Sequence, residues 1–196
     1  MSINKSDTLY IRGNNPNGFN RGSSVDKYCS FVMKGGKVRC YGNIMSLIDY
    51  KKMPNIIPCE YCFYGLFKDC TALTTAPELP ATKLAKGCYC SMFEKCTSLK
   101  IEPALPATTL KDSCYYRMFF NCTSLTVAPE LPATTLANWC YSYMFKKCTS
   151  LKIAPELPIT ELTIGLLGCY DGMFIGCTSL KKQTRVDRKF QSNNDI

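Results

Sequence analysis

Histidine is absent from this chain of 196 residues, and tryptophan occurs once. Without histidine, the chain lacks the side chain used most often for general acid-base catalysis, nucleophile activation and metal binding near neutral pH. The sequence also contains no phosphate-binding glycine loop and no serine nucleophile elbow. These absences argue against an enzyme, and we expect no catalytic residue, no metal ligand set and no cofactor.

Long apolar runs are missing as well. No segment approaches the roughly 20 apolar residues of a membrane-spanning helix. The N-terminal residues MSINKSDTLY lack the apolar core of a secretory signal. We therefore expect no membrane insertion, and a cytoplasmic or virion-associated location is favoured over classical secretion.

The composition that remains is that of a folded domain. Hydrophobic residues make up 46% of the chain and charged residues 20%, which is outside the range of disordered proteins. The chain is also rich in cysteine, with fourteen residues of this type. The spacing of these cysteines shows how the sequence is organised.

Two series of cysteines recur with a period of 26 residues and a single longer unit of 29. The first series comprises Cys62, Cys88, Cys114, Cys140 and Cys169, and the second, eight residues later, Cys70, Cys96, Cys122, Cys148 and Cys177. A fixed period of this size is the signature of a repeat architecture. We predict about four and a half repeats in residues 59–180, an N-terminal cap in residues 1–58 and a basic tail in residues 181–196.

Each unit shows two apolar periods. Cys114, Tyr115, Met118, Phe119 and Cys122 are spaced i, i+1, i+4, i+5 and i+8, which predicts the inward face of a short helix or helical turn. The following segment alternates: its apolar residues are Leu125, Val127, Pro129 and Leu131. That alternation predicts a short strand with one buried side. Such units stack into a solenoid, because none buries its apolar side alone.

The cap and its cysteines carry further predictions. Residues 9–12, 28–33 and 37–42 are predicted strands, with Gly35-Gly36 as the hairpin turn between the last two. Cys29 and Cys40 would then lie on neighbouring strands, which makes them the one candidate pair for a disulfide. Cys59 and Cys62 are the one Cys-x-x-Cys pair, and without a second such pair or a histidine they argue against zinc.

The strings CYCSMFEKCTSL, CYYRMFFNCTSL and CYSYMFKKCTSL, with APELPATTL between such blocks, resemble the BspA-like leucine-rich repeats. Such repeats occur in surface proteins of gut and oral bacteria and in phages of such bacteria. The resemblance covers about residues 59–180, and YIRGNNPNGFN and GNIMSLIDY resemble the segment that leads into these repeats. It implies an α/β repeat fold, a right-handed leucine-rich-repeat solenoid of short strands and short helical turns with a β-rich cap. It also implies protein binding or adhesion without enzyme activity.

Charge is distributed unevenly along the chain. The formal charge of +9 comes from the cap and the tail, because residues 59–180 carry ten basic and ten acidic side chains. A solenoid that reads nucleic acid is expected to carry basic residues along its repeats. The pattern therefore favours another protein as the partner.

Two faces of the predicted solenoid are candidates for binding. Strand positions Ala76, Ala128 and Ala154 are predicted to face outward together with the charged and polar residues of the strand face. The strand-face candidates are Thr74, Glu78, Lys100, Glu102, Thr126, Glu130, Lys152 and Glu156. The candidates on the helical turns are Tyr116, Arg117, Phe120, Tyr143, Lys146 and Lys147.

The function predicted from these observations is non-enzymatic protein-protein recognition of the adhesion or receptor-binding type. An intracellular or phage-encoded interactor or inhibitor of a host protein is the alternative. Nucleic-acid binding through the basic cap and tail is a third, less favoured class.

Overall fold

A computed structural model of the chain describes residues 8–19, 28–33, 35–157 and 166–181. Its regular elements are strand β1 (Val38–Arg39), the 3₁₀ helix Ile44–Leu47 and strand β2 (Leu73–Thr75). The two strands pair in parallel, with Val38 opposite Leu73. Within these described ranges no helix has the length and apolar character needed to cross a membrane.

The segment between the two cysteine series folds as consecutive turns in place of the predicted helical turn. In the second unit Gly87, Ser91 and Lys95 have positive φ angles of 58°, 53° and 61°. The chain therefore reverses its curvature every four residues. The buried pairs Cys88–Tyr89 and Met92–Phe93 are also four residues apart. An α-helix has a φ of about −63° at every residue, so these positive angles exclude one.

Backbone hydrogen bonds in this turn segment run alternately within a unit and to the next unit. The N–H groups of Tyr89 and Phe93 donate to the carbonyls of Cys114 and Met118 at 3.0 and 2.9 Å. Between them, the N–H of Met92 donates to the carbonyl of Tyr89 at 3.2 Å. Adjacent units thus satisfy each other's backbone groups, and the stack is held together by its main chain as well as by its core.

Two ladders of aromatic rings run through the core. Equivalent rings in adjacent units are nearly parallel, with centroids 5.5 to 6.0 Å apart. The first ladder contains Phe63, Tyr89, Tyr115, Tyr141 and Tyr170, and the second contains Phe67, Phe93, Phe119, Phe145 and Phe174. At this spacing parallel rings are offset, which is a favourable arrangement of their quadrupoles.

The N-terminal segment adds one more layer to both ladders. Phe19 lies against Phe63 with ring centroids 5.9 Å apart, and Phe31 stacks on Phe67 at 5.2 Å. The 3₁₀ helix begins after Asn43 and buries three of its four residues. This segment therefore covers the end of the core that the first repeat would otherwise expose.

The predicted cap strands are found in part. The strand expected within residues 37–42 is present as β1, whereas residues 9–12 and 28–33 form no strand. The predicted hairpin across Gly35-Gly36 is wrong, because β1 pairs with β2 of the first repeat. The N–H of Phe31 likewise donates to the carbonyl of Leu66, so this segment bonds to the repeat and not to its sequence neighbour.

Several predictions lie outside the described residues. These include residues 182–196 of the basic tail and residues 158–165 of the longer unit. The right-handed leucine-rich-repeat class itself stays a prediction.

Candidate protein-recognition faces

The strand segments expose a row of side chains along one side of the stacked units. Isolated parallel bridges join Thr75 with Ile101 and Val127 with Ile153. Of the predicted strand-face residues, Glu78, Lys100, Thr126, Glu130, Lys152 and Glu156 are exposed, and Thr74 and Glu102 are half-buried.

The N-terminal segment occupies the first-unit end of this face. Thr74 Oγ1 donates a hydrogen bond to the carbonyl of Val38 at 3.0 Å. The N–H of Glu78 donates to the carbonyl of Gly42 at 2.9 Å, and its carbonyl accepts from the N–H of Ile44 at 3.0 Å. The open part of the strand face therefore spans the second to the fourth unit.

A column of exposed β-branched side chains runs along this open part. Ile101, Val127 and Ile153 leave 59%, 51% and 55% of their surface exposed, and they occupy equivalent positions 26 residues apart. We call these three residues the β-branched column. The prediction that Val127 is buried is wrong, although Leu131 four residues later is buried as predicted. The alternation fails because these segments meet through isolated bridges, and no continuous ladder imposes a regular pleat.

The alanine positions that we predicted to face outward lie closer to the core. Ala76 is buried, while Ala128 and Ala154 are half-buried. Tertiary packing thus turns this position inward, and the exposed position is the one before it in sequence. The small side chain allows the segment to approach the core closely.

Charges flank the β-branched column on both sides. Exposed lysines, Lys100 and Lys152, immediately precede two of its members, and exposed glutamates, Glu130 and Glu156, follow three residues after two of them. Because successive units cross the column in the same direction, the lysines lie along one edge and the glutamates along the other. The open strand face is therefore apolar in the middle and oppositely charged at its edges.

On the turn side, a buried ion-pair cluster centres on Glu94, whose surface is 3% exposed. The guanidinium of Arg117 donates to both carboxylate oxygens, at 3.3 and 3.1 Å, and Lys68 Nζ lies 3.5 Å from the carboxylate. The guanidinium also lies 4.0 Å from the ring centroid of Phe120. Arg117, which we predicted as a binding residue, is thus engaged within the molecule.

Electrostatics in this cluster favour the charged carboxylate. Burial by itself raises the pKa of Glu94, but the hydrogen bonds from Arg117 and Ser91 and the charges of Arg117 and Lys68 outweigh it, so the pKa falls below its ordinary value. Burial also raises the pKa of the neighbouring Tyr64 to about 12. Near neutral pH Glu94 is therefore ionised and Tyr64 protonated, which keeps the ion pair between Glu94 and Arg117 intact.

The other predicted turn-face residues also contact one another. Tyr116 and Tyr143 meet edge to face with centroids 5.9 Å apart, and Lys146 Nζ lies 4.7 Å from the Tyr143 centroid. These three side chains are half-buried, and Lys147 is exposed. The turn face therefore presents less unengaged surface than the strand face.

The second cysteine series has a polar role that the sequence analysis did not identify. The Sγ atoms of Cys96 and Cys122 lie 3.0 and 3.1 Å from the carbonyl oxygens of Phe67 and Phe93 in the preceding units. The carbonyl of Phe93 also accepts the N–H of Cys96 within its own unit. A thiol at this position links two units and also fills a small apolar space. The sequence signal for this donor role is that cysteine, and not alanine, recurs at the position.

Cys29 and Cys40, the candidate disulfide pair, are both thiols in this structure. Cys29 is exposed, whereas Cys40 is half-buried and its N–H donates to the carbonyl of Thr75 at 3.0 Å. Burial raises the pKa of Cys40 to about 11. The pair does not form because the hairpin that would have joined it is absent. Within the part of the chain that the structure describes, no three cysteine or acidic side chains converge to hold a metal ion.

Comparisons with models of protein families, with curated proteins and with solved structures found no match to this chain.

Proposed function

We propose that this chain is a non-enzymatic protein-protein recognition module that binds through the open strand face. The observation that carries the proposal is the β-branched column. Single exposed apolar side chains are ordinary on protein surfaces, but these three occupy equivalent positions of successive units, and Val127 and Ile153 are joined by a parallel bridge. Apolar patches rimmed by polar residues are typical of interaction sites.

The surroundings of the column support a specific partner. Lys100 and Lys152 at one edge and Glu130 and Glu156 at the other give the face a direction. A partner segment with an apolar centre and the opposite order of charges matches it, and the charges contribute more to orientation and to association rate than to affinity. The adhesion or receptor-binding type of function belongs to this proposal.

The core beneath the face supports binding without a large ordering cost. The turn segments bond to each other through their main chains, and the aromatic ladders stack through the core. A pre-formed surface loses little conformational entropy when it binds. Nucleic acid fits this face poorly, because residues 59–180 carry equal numbers of basic and acidic side chains.

The test is affinity capture from a lysate of the native source, with and without nuclease, followed by direct binding of the captured protein in purified form. The variant is Val127→Lys with Ile153→Lys, which places charges in the column. The matched control is Ile56→Lys, since Ile56 is another exposed isoleucine, 47% exposed, outside the column. We expect a nuclease-resistant protein that binds wild type and the control and loses at least tenfold in affinity for the double variant.

Two results contradict the proposal. A captured protein that binds the double variant as well as wild type, but is lost with Tyr143→Ala, assigns recognition to the turn face. Capture that disappears with nuclease assigns it to nucleic acid and to the basic ends of the chain.

A further inference from the structure

Two thiols converge where the N-terminal segment meets the first repeat. Cys59 and Cys62 form the one Cys-x-x-Cys pair of the sequence. A Cβ atom at the position of Gly18 would lie 2.4 Å from Cys59 Sγ and 2.9 Å from Cys62 Sγ. The sulfurs are therefore neighbours beneath the same glycine, and the Cys62 thiol hydrogen-bonds with Cys59.

The backbone between the two cysteines suits a disulfide. Glu60 and Tyr61 form a turn, and Tyr61 has a positive φ of 51°. Cys59 and Cys62 are the first and last residues of this turn, whose end Cα atoms are less than about 7 Å apart by the definition of a β-turn. A disulfide needs Cα atoms about 4.4–6.8 Å apart, and the ends of a β-turn fall in that range of separation.

The rest of the cysteines lack this arrangement. The thiols of Cys96, Cys122 and Cys148 each donate to a backbone carbonyl of the preceding unit. Equivalent cysteines of stacked units also have parallel Cα–Cβ vectors, whereas a disulfide needs vectors that converge. Cys140 and Cys169 of adjacent units also hydrogen-bond through their side chains, whereas residues 59–62 bring together two thiols of one short turn.

The two thiols also differ in access, as the two steps of thiol-disulfide exchange require. Cys59 is half-buried and reachable from solvent, while Cys62 is 1% exposed. The accessible thiol reacts first with an external disulfide, and the buried thiol then attacks the mixed disulfide from inside the protein.

We propose that Cys59 and Cys62 form a redox-active dithiol whose reagent is a small-molecule disulfide such as oxidised glutathione. Cys59 attacks one sulfur of the reagent, its S–S bond breaks, and one reduced glutathione leaves. Cys62 then attacks Cys59 Sγ, which forms the protein disulfide and releases the second reduced glutathione. Two protein thiols are oxidised by two electrons, the reagent is reduced to two thiols, and the two thiol protons end on the leaving groups.

The position of the dithiol couples its redox state to the cap. The Cys62 thiol hydrogen-bonds to the backbone of Phe19, and the ring of Phe19 covers Phe63 at the end of the first aromatic ladder. This hydrogen bond favours the thiolate, so the backbone N–H of Phe19 donates and the sulfur of Cys62 accepts, and disulfide formation changes that acceptor. The disulfide therefore acts on the junction between the N-terminal segment and the first repeat.

The test uses the full chain with Cys29→Ser as the parent, because the exposed Cys29 would form mixed disulfides by itself. Folded protein is equilibrated with glutathione buffers of rising oxidised fraction, quenched in acid, denatured and alkylated, and its intact mass is measured. The parent has thirteen thiols, and we expect eleven to be alkylated after oxidation, with no glutathione retained. With Cys62→Ser added we expect one glutathione trapped on Cys59, and with Cys59→Ser added neither an adduct nor a disulfide.

Peptide mapping of the oxidised parent locates the bond without any further substitution. A link between Cys59 and Cys62 is expected. A parent that keeps all thirteen thiols in the most oxidised buffer overturns the proposal, and so does a Cys59→Ser variant that still loses two thiols. The readout is independent of partner binding, so it succeeds or fails separately from the proposed recognition function.

Discussion

At the scale of single residues, the second cysteine series shows how one atom type can serve two needs. The carbonyl of Phe93 accepts the N–H of Cys96 and the thiol of Cys122, at 3.0 and 3.1 Å. The thiol is small enough for the space between two aromatic layers and still donates a hydrogen bond. Sequence spacing predicted that these cysteines are buried, but the donor role depends on a carbonyl one unit away and becomes visible only in the folded stack.

We expect Cys122→Ala to lower the free energy of unfolding by about 1–2 kcal/mol, because it removes the inter-unit hydrogen bond and leaves a small void. Chemical denaturation of the two proteins measures the difference. The control is Cys29→Ala, whose exposed thiol predicts a change within about 0.5 kcal/mol. Equal effects of the two substitutions would contradict the account.

A second residue-scale prediction concerns Glu94. Replacing it with glutamine leaves Arg117 without its buried carboxylate, and we expect a loss of about 1–3 kcal/mol at pH 7. The pKa of Glu94 is lower in the folded protein than its ordinary 4.5. The stabilisation is therefore complete above that value and is lost as the pH falls through the folded-state pKa.

Urea titrations of wild type and Glu94→Gln at several pH values measure this dependence. The difference in unfolding free energy is expected to be constant from pH 7 to pH 5 and to shrink as the pH falls below the ordinary value of 4.5. The exposed Glu130→Gln serves as the control, with little difference across the range. A difference that grows as the pH falls would mean that Glu94 does not carry the stabilising charge.

At the scale of elements, the sequence predicted which residues of the turn segment are buried, but it did not predict the backbone conformation of that segment. The inward face formed by Cys114, Tyr115, Met118, Phe119 and Cys122 is confirmed, with each residue at most 1% exposed. The helical turn was wrong because the chain takes positive φ at Ser113 and Arg117, with angles of 54° and 53°. Positive φ angles are uncommon for residues other than glycine, so serine and arginine do not predict them. They accompany the backbone hydrogen bonds to the neighbouring unit.

We expect Lys147→Gly to stabilise the protein by about 0.5–1 kcal/mol, because glycine adopts a positive φ without steric cost. Lys147 has a φ of 64° and an exposed side chain, so little packing is lost. The matched control is Lys146→Gly, one residue earlier and outside the positive-φ positions, which is expected to destabilise. Thermal melts of the pair check the sign, and a stabilised Lys146→Gly would contradict the assignment of strain.

At the scale of the whole molecule, stacking decides which side chains reach solvent. The spacing of the cysteines predicted the repeat and its core, but it did not predict the exposure of Ile101, Val127 and Ile153. All three positions carry β-branched residues, which favour a strand. This preference does not indicate whether the side chains face the core or the solvent. Their orientation depends on pairing between units 26 residues apart, and no window within one unit contains that information.

The continuous ladders predict that the units unfold together. Phe119 is fully buried between Phe93 and Phe145, with centroid distances of 5.6 and 5.7 Å. Placing a charge there by Phe119→Asp is expected to abolish the cooperative melt of the entire stack, because a buried charge without a partner costs more than one repeat contributes. Circular dichroism melts measure it, and a variant that retains the wild-type melting temperature would contradict this view.

The central claim, recognition through the β-branched column, is tested most directly by site-specific photo-crosslinking. A photoreactive amino acid is placed at Val127 in one protein and at Ile56 in another; both positions are exposed. Each protein is irradiated in a lysate of the native source. We predict a discrete crosslinked protein from position 127 that is absent from position 56 and is suppressed by excess unlabelled wild type but not by Val127→Lys with Ile153→Lys. The same crosslinks from both positions, or a product that the double variant suppresses equally well, would contradict the claim.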